Sequence, residues 1–248
     1  MLQIKNLEFS YKKGKTLTLD DISVNFKQGE FYAVLGNNGS GKSTLLKCIN
    51  GLCFNNNIFI ENLNLNELSQ LQRSKNISFC PQNQTPNTLS VYDNVMIGRL
   101  PYIKFQPNIK DKEIVEDTLK IFDLYEQKYR KACDLSGGEL QRMNIARNFA
   151  QDTPYMLFDE PTNNLDINLQ HKLMQFFKKQ ASELNKCIIA VLHDINLSLN
   201  YADKLIFLKE GRIVSVCNPS DVNEGLLEKI YNINLKIYPI NNSKFVSI

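Results

Sequence analysis

Gly36-Asn37-Asn38-Gly39-Ser40-Gly41-Lys42-Ser43 follows directly on an unbroken apolar run, Phe31-Tyr32-Ala33-Val34-Leu35. A short apolar run ending at glycine reads as a buried strand, and Ser43 to Asn50 carries a helical pattern. Strand, glycine-rich turn and helix form the layout of a phosphate-binding unit, and the octapeptide satisfies G-x-x-x-x-G-K-[ST] at every position. The chemistry asks for these residue types. Glycines let the backbone wrap closely around phosphate oxygens, so that successive N–H groups and a helix N-terminus face the negative charge. Lys42 reaches toward β- and γ-phosphates, Ser43 offers a hydroxyl to Mg2+, and Thr44 supports an α-phosphate. The stretch predicts nucleotide binding. A chance glycine-rich turn is the bland alternative, and the flanking strand and helix weigh against it.

Outward from this unit, Leu2 to Phe9 and Ile22 to Phe26 alternate like half-buried strands. Further apolar runs lie at Ile77 to Cys80, Tyr155 to Phe158, Cys187 to Leu192 and Lys204 to Leu208. Helical patterns at Leu140 to Ala150 and Asn168 to Ala181 separate several of them, which predicts an α/β fold with a mostly parallel sheet covered on both faces. Between Gln82 and Ala150 strand runs disappear and helices are expected at Val91 to Arg99, Asp111 to Phe122 and Gly138 to Ala150, a helical subdomain inserted into the core.

Two more stretches suit chemistry. Tyr155-Met156-Leu157-Phe158 runs into Asp159-Glu160, two carboxylates at the carboxyl end of a buried strand, where ligands gather in open α/β sheets. Asp159 suits a hold on Mg2+, and Glu160 can polarise a water for in-line attack on a γ-phosphate. Leu135-Ser136-Gly137-Gly138-Glu139 precedes a helix. Ser136 and Glu139 make a capping box, and the Ser136 hydroxyl, the Gly138 N–H and the helix dipole also form a second anion site. One chain has little use for two such sites unless the second serves nucleotide held by a neighbouring copy.

With these stretches in this order, the chain resembles the ATP-binding cassette (ABC) ATPase family over nearly its whole length. The phosphate loop, a glutamine loop at Gln82, Leu-Ser-Gly-Gly-Glu, Asp159-Glu160, Asn164-Leu165-Asp166 and His193 stand in the family's sequence. The resemblance implies a P-loop NTPase core with N-terminal antiparallel strands, all of residues 1–248 forming one ATPase domain with a helical subdomain at about 83–150. It implies ATP and Mg2+ as cofactors, Gln82 on the metal and attacking water, and His193 on the γ-phosphate. It also places Tyr11 on the adenine ring and makes Asp166 a link between two ATP sites, although helix capping accounts for Asp166 locally. His171, on an exposed helix face, is expected to be inert. The implied partners are a second copy in a head-to-tail dimer, membrane-spanning permease subunits docked near Gln82 at the cytoplasmic face of the membrane and, indirectly, a substrate-binding protein.

Gly98-Arg99-Leu100-Pro101-Tyr102, with Leu192 to Leu197 and the tail around Glu228 to Asn232, is similar to importers for iron-siderophores, haem and cobalamin. A helix C-cap, a basic last-turn residue and a proline stop would explain Gly98 to Pro101 locally. Other metal or oxyanion importers are the runner-up. Gly51 to Glu61 is Asn-rich and compressed against the family pattern, which leaves strand pairing there open; Asn37 stands in place of a common proline, and Asn163-Asn164 is unusually polar.

Composition narrows the rivals. The 29 basic and 26 acidic residues are too balanced for a nucleic-acid binder, which carries a basic stripe. The 43% hydrophobic content supports a substantial core, and 248 residues leave no space for the coiled coils of chromosome-type ATPases. No segment reaches the roughly 18 consecutive apolar residues of a spanning helix, and Met1 to Asn6 alternate, so no secretory signal is expected. The six cysteines form no Cys-x-x-Cys pair and are expected as buried or unlinked thiols in a reducing cytosol. A cytosolic cassette ATPase serving iron–sulfur cluster assembly would share every ATP residue, but would lack the Gly98 to Tyr102 stretch.

Overall fold

The computed structural model describes residues 1–12, 17–53, 57–240 and 243–247. Strands β1 (Leu2–Phe9), β2 (Leu19–Phe26) and β3 (Phe31–Leu35) precede helix α1 (Lys42–Ile49). Next come β4 (Ile58–Ile60), β5 (Leu63–Asn64), α2 (Gln70–Asn76) and β6 (Ile77–Cys80). Helices α3 (Val91–Met96), α4 (Ile109–Ile121) and α5 (Gly137–Ala150) fill the segment before β7 (Tyr155–Asp159). The chain continues through α6 (Ile167–Leu184), β8 (Cys187–Val191), α7 (Ile195–Tyr201), β9 (Lys204–Lys209) and β10 (Arg212–Cys217). It closes with α8 (Glu224–Tyr231) and a hairpin of β11 (Lys236–Ile240) and β12 (Ser243–Ser247).

The central sheet has the order β10-β9-β3-β8-β7-β6. All its neighbours run parallel except β10, which pairs antiparallel with β9. A parallel strand with helices on both faces must be apolar at every position, and β3 is: Phe31, Ala33 and Leu35 join one core cluster, Tyr32 and Val34 the other. The first cluster lies under α3 to α7. The second lies between the central sheet, α1 and an antiparallel sheet of order β2-β1-β4-β5. The N-terminal antiparallel strands therefore appear as expected. Within the Asn-rich Gly51 to Glu61 stretch, residues 54–56 lie outside the described residues, while β4 pairs with β1 from Leu2↔Ile60 to Ile4↔Ile58. No helix among the described residues is long and apolar enough to cross a membrane. Burial pushes the Cys80 thiol up to about 12, which leaves it a packing residue and a poor nucleophile.

The helical segment corrects one local reading. Gly98 is no left-handed C-cap; it does not adopt a positive φ, and a Cβ there would meet the Arg147 carbonyl oxygen at 2.3 Å. At Gly98 the chain beyond α3 packs directly on the backbone of α5. Arg99 is no solvated last-turn cation either. Its Nε donates to Asp111 Oδ1 at 3.0 Å, its Nη1 donates to the Ala150 carbonyl at 2.8 Å, and the Tyr102 ring lies 4.1 Å from the guanidinium. With Arg99 5% and Asp111 1% exposed, this is a buried ion pair tying α4 to the end of α5. Asp111→Ala leaves that guanidinium without its anion and is expected to destabilise the fold by about 3 kcal/mol. Urea unfolding checks this, the midpoint falling at an unchanged slope.

Candidate functional site

Parallel strands side by side bring their carboxyl ends to one edge of the sheet. The phosphate loop leaves β3, His193 follows β8, Asp159-Glu160 ends β7, and Gln82 follows β6, so four neighbouring strands each deliver one element of the site. Gly36 begins the loop at φ 145°, where a Cβ would lie 2.0 Å from the Leu208 carbonyl oxygen of β9. Gly41, at φ 103°, turns the chain into α1 against the Thr18 carbonyl. Lys42 is 5% exposed and folds back over the loop, its ammonium donating to the Gly36 carbonyl at 2.8 Å and to the Asn37 carbonyl at 2.9 Å. Burial lowers its pKa, and the nearby Glu160 and Asp159 charges oppose that shift. The Ser40 hydroxyl is buried without a hydrogen-bond partner among the described residues. A cleft of about 190 Å3 opens beside the loop, lined by residues that include Asn38, Gly39, Lys42, Ser43, Thr44 and Glu160.

The acidic pair divides its work by burial. Asp159 is 3% exposed and accepts from the Ser43 hydroxyl at 2.9 Å. Burial raises its pKa, and the Ser43 hydrogen bond partly offsets this. A hydroxyl and a carboxylate held together in this way form a hard-oxygen pair that fits Mg2+ arriving with nucleotide phosphates. Glu160, the next residue, takes a left-handed conformation, φ 54°, costly for a residue with a Cβ and characteristic of functional sites. Its N–H donates to the Val191 carbonyl at 3.2 Å. One carboxylate oxygen accepts from Gln82 Nε2 and Asn163 Nδ2, each at 2.6 Å, and the other lies 2.7 Å from His193 Nε2. The sequence aimed His193 and Gln82 at phosphate and metal; in the structure both hold Glu160. Asn163, singled out only as unusually polar, is a third member of this cage. Its position three residues after Glu160 was the one signal available.

Ser136 to Glu139 line no part of that cleft. Ser136 caps α5, and its hydroxyl and N–H each donate to Glu139 Oε2 at 2.8 Å. Those two bonds, with Gln127 and Arg130 nearby, hold the Glu139 carboxyl down at about 2. A Cβ on Gly138 would meet the Asn164 carbonyl oxygen at 3.1 Å, so the glycine pair and the Asn164 to Asp166 loop form one surface. Asp166 caps α6 by accepting from the Leu169 N–H at 2.8 Å. Tyr11 is 58% exposed and its hydroxyl lies 3.2 Å from Thr44 Oγ1, at the loop's edge. His171 Nδ1 lies 2.8 Å from the Tyr201 hydroxyl, outside the site.

The sequence of residues 19–163 matches the profile of the family described as ABC transporter. The chain belongs to that family. It is 37% identical over 239 residues to an ABC transporter ATP-binding protein of Methanocaldococcus jannaschii, covering 96% of this chain and 93% of the relative. The petrobactin import ATP-binding protein of Bacillus subtilis is 34% identical, with 98% of each chain covered. A phosphonates import ATP-binding protein of Lactococcus lactis subsp. cremoris is 33% identical, over 93% of this chain and 98% of the relative. Among solved structures, a dimeric ATP-binding cassette bound to ADP and Pi in a post-hydrolysis state is similar at TM-score 0.80 and 32% identity, covering 88% of this chain and 99% of the other.

This ABC subunit is an ATPase, and ATP is its nucleotide. Two further polar contacts hold α5 to the ATP site. Gln141 Nε2, buried, donates to the Pro161 carbonyl at 3.1 Å, directly after Glu160, and Arg147 donates to Gln84 in the glutamine loop. Lys42→Ala removes the one buried cation lining the cleft among the described residues and is expected to weaken ATP binding about tenfold or more, read by titration with a fluorescent ATP analogue.

Proposed function

We propose that this ABC ATPase powers import of a metal chelate, an iron-siderophore first, with haem and cobalamin in the same class. It would act at the cytoplasmic face of the membrane, bound to permease subunits that receive solute from a substrate-binding protein. The observation that carries the docking is a surface groove. Hollows of about 520 Å3 and 630 Å3 share Gln70, Ser74 and Gln151 in their walls. Three exposed apolar side chains, Leu52, Leu71 and Leu100, stand around them at 65%, 53% and 60% exposure, and Pro101 joins the lining. Gly98, Arg99 and Tyr102 are the packing residues that set Leu100 and Pro101 on that wall. The importer-like stretch thus has a physical use as a seat for a short permease helix. The petrobactin import relative favours the chelate reading, and the phosphonates import relative favours an oxyanion as the second one.

In the proposed cycle, two copies pair head to tail, and Ser136 to Glu139 of one face the ATP on the phosphate loop of the other. That is why the Gly138–Asn164 surface lies outside its own cleft. Lys42 and the loop N–H groups hold the phosphates, Tyr11 lies against adenine, and Ser43 with Asp159 holds Mg2+. The bound ion would neutralise phosphate charge. Glu160 accepts a proton from the attacking water, with Gln82, Asn163 and His193 fixing its carboxylate. The helical segment, about 83–150, moves as the unit that carries closure to the groove, and Asp166 links the two sites.

Glu160→Gln is expected to bind ATP, lose about 100-fold or more in turnover and elute as a nucleotide-stabilised dimer in size-exclusion chromatography; undiminished hydrolysis removes Glu160 from its role. The solute is tested by purifying the complex from membranes, reconstituting it in vesicles and measuring ATP-driven uptake of a ferric siderophore, haem, cobalamin and a phosphonate. Ferric-chelate uptake abolished by Glu160→Gln supports the first reading. Phosphonate uptake replaces it with the second, and purification with soluble partners alone rejects transport.

A further inference from the structure

The C-terminal segment touches two elements of the ATP site at once. At one end, α8 finishes beside the phosphate loop. The last carbonyls of a helix have no intrahelical donor, and one of them, that of Ile230, accepts from Asn37 Nδ2 at 3.1 Å. The Lys209 ammonium fixes that helix end, donating to the Lys229 carbonyl at 2.6 Å and to Asn232 Oδ1 at 2.8 Å. Asn37 is also the residue whose own carbonyl accepts from Lys42 at 2.9 Å, so the loop is held from both sides of one residue.

At the other end, β12 presents its free edge to α7. An edge strand leaves N–H and C=O groups unpaired, and Val246 meets the Asn196 side chain with both. Its N–H donates to Asn196 Oδ1 at 2.7 Å, and its carbonyl accepts from Asn196 Nδ2 at 3.1 Å. Asn196 lies in the first turn of α7, three residues after His193. Between the two ends the segment is anchored in the main core: Val222, Leu227, Ile230, Leu235 and Val246 are all buried there. Glu224 accepts from the Ile237 N–H at 3.1 Å and lies 3.7 Å from the Lys236 ammonium, tying the hairpin to α8.

We infer that α8, β11 and β12 form a strap that sets the phosphate loop and helix α7, which follows His193, relative to each other, with Asn37 and Asn196 as its positioning residues. The two ends act on different quantities. The loop lines the nucleotide cleft, so loosening it is read first in ATP binding; His193 touches Glu160, so loosening the helix that follows it is read first in turnover. The inference concerns the ATPase alone and stands whatever solute is carried.

The test combines ATP affinity, kcat and melting temperature for Asn37→Ala, Asn196→Ala, Asn196→Asp and Lys209→Met in the full chain. Asn196→Ala is expected to lower kcat about fivefold with ATP affinity held, and Asn196→Asp, which keeps the acceptor for the Val246 N–H but sets an oxygen against the Val246 carbonyl, to lower it at least as far. Asn37→Ala is expected to weaken ATP binding about fivefold, with a smaller change in kcat. Lys209→Met, away from the loop itself, should weaken binding in the same direction, and the double variant Asn37→Ala, Lys209→Met should be no worse than Asn37→Ala alone, because both act through the end of α8. Unchanged constants in both asparagine variants overturn the strap. So does a parallel loss of affinity and kcat that follows melting temperature, and so does additivity of Asn37→Ala with Lys209→Met, which would place Asn37's effect on ATP directly.

Discussion

A strand buried on both faces can offer chemistry only at its ends, and that constraint organises this molecule. Phe31–Leu35, Tyr155–Asp159 and Cys187–Val191 are buried along their whole length. The charged and site-forming groups they supply therefore lie at or beyond their carboxyl ends. Because the strands are parallel, those last residues share one edge. The phosphate loop, the acidic pair, His193 and Gln82 meet for that reason, although they lie far apart in the chain.

Burial then sorts the carboxylates. Asp159, last in the strand, stays inside and takes a hydroxyl partner. Glu160, one residue on, turns out of the sheet through a left-handed backbone and enters a cage of side-chain donors. A one-residue difference in position gives a buried, hydroxyl-bonded carboxylate and an outward-turned, caged one from the same dipeptide. The cage is assembled from the ends of different strands and the loop after β7, so displacement of any of these elements changes how Glu160 is held.

Helix α5 connects the two halves of the machinery. Its capped N-terminus carries Ser136 to Glu139, while its body reaches the acidic strand through Gln141 on Pro161 and the glutamine loop through Arg147 on Gln84. In its last turn, Gly98 packs on Arg147 and Arg99 reaches Ala150, beside the groove. Helix α5 thus contacts the ATP site and the groove wall at once.

Much was legible in the residues alone, because some patterns are local. The G-x-x-x-x-G-K-[ST] loop, the apolar strands, the Ser136–Glu139 capping box and the Asp166 cap depend on neighbours a few residues away, and all took the expected local form. Edge strands β10 and β12, with too little apolar contrast, did not stand out. Gly98 and Arg99 read locally as a helix stop, since the carbonyl of Arg147 and the carboxylate of Asp111 that define their roles come from other helices. What only the tertiary structure decided is which strand ends are neighbours, and with that the cage around Glu160 and the strap from Asn37 to Asn196. Hydrogen bonds between residues distant in the chain leave no periodic trace in it; they exist only once burial of the strands has set the distances.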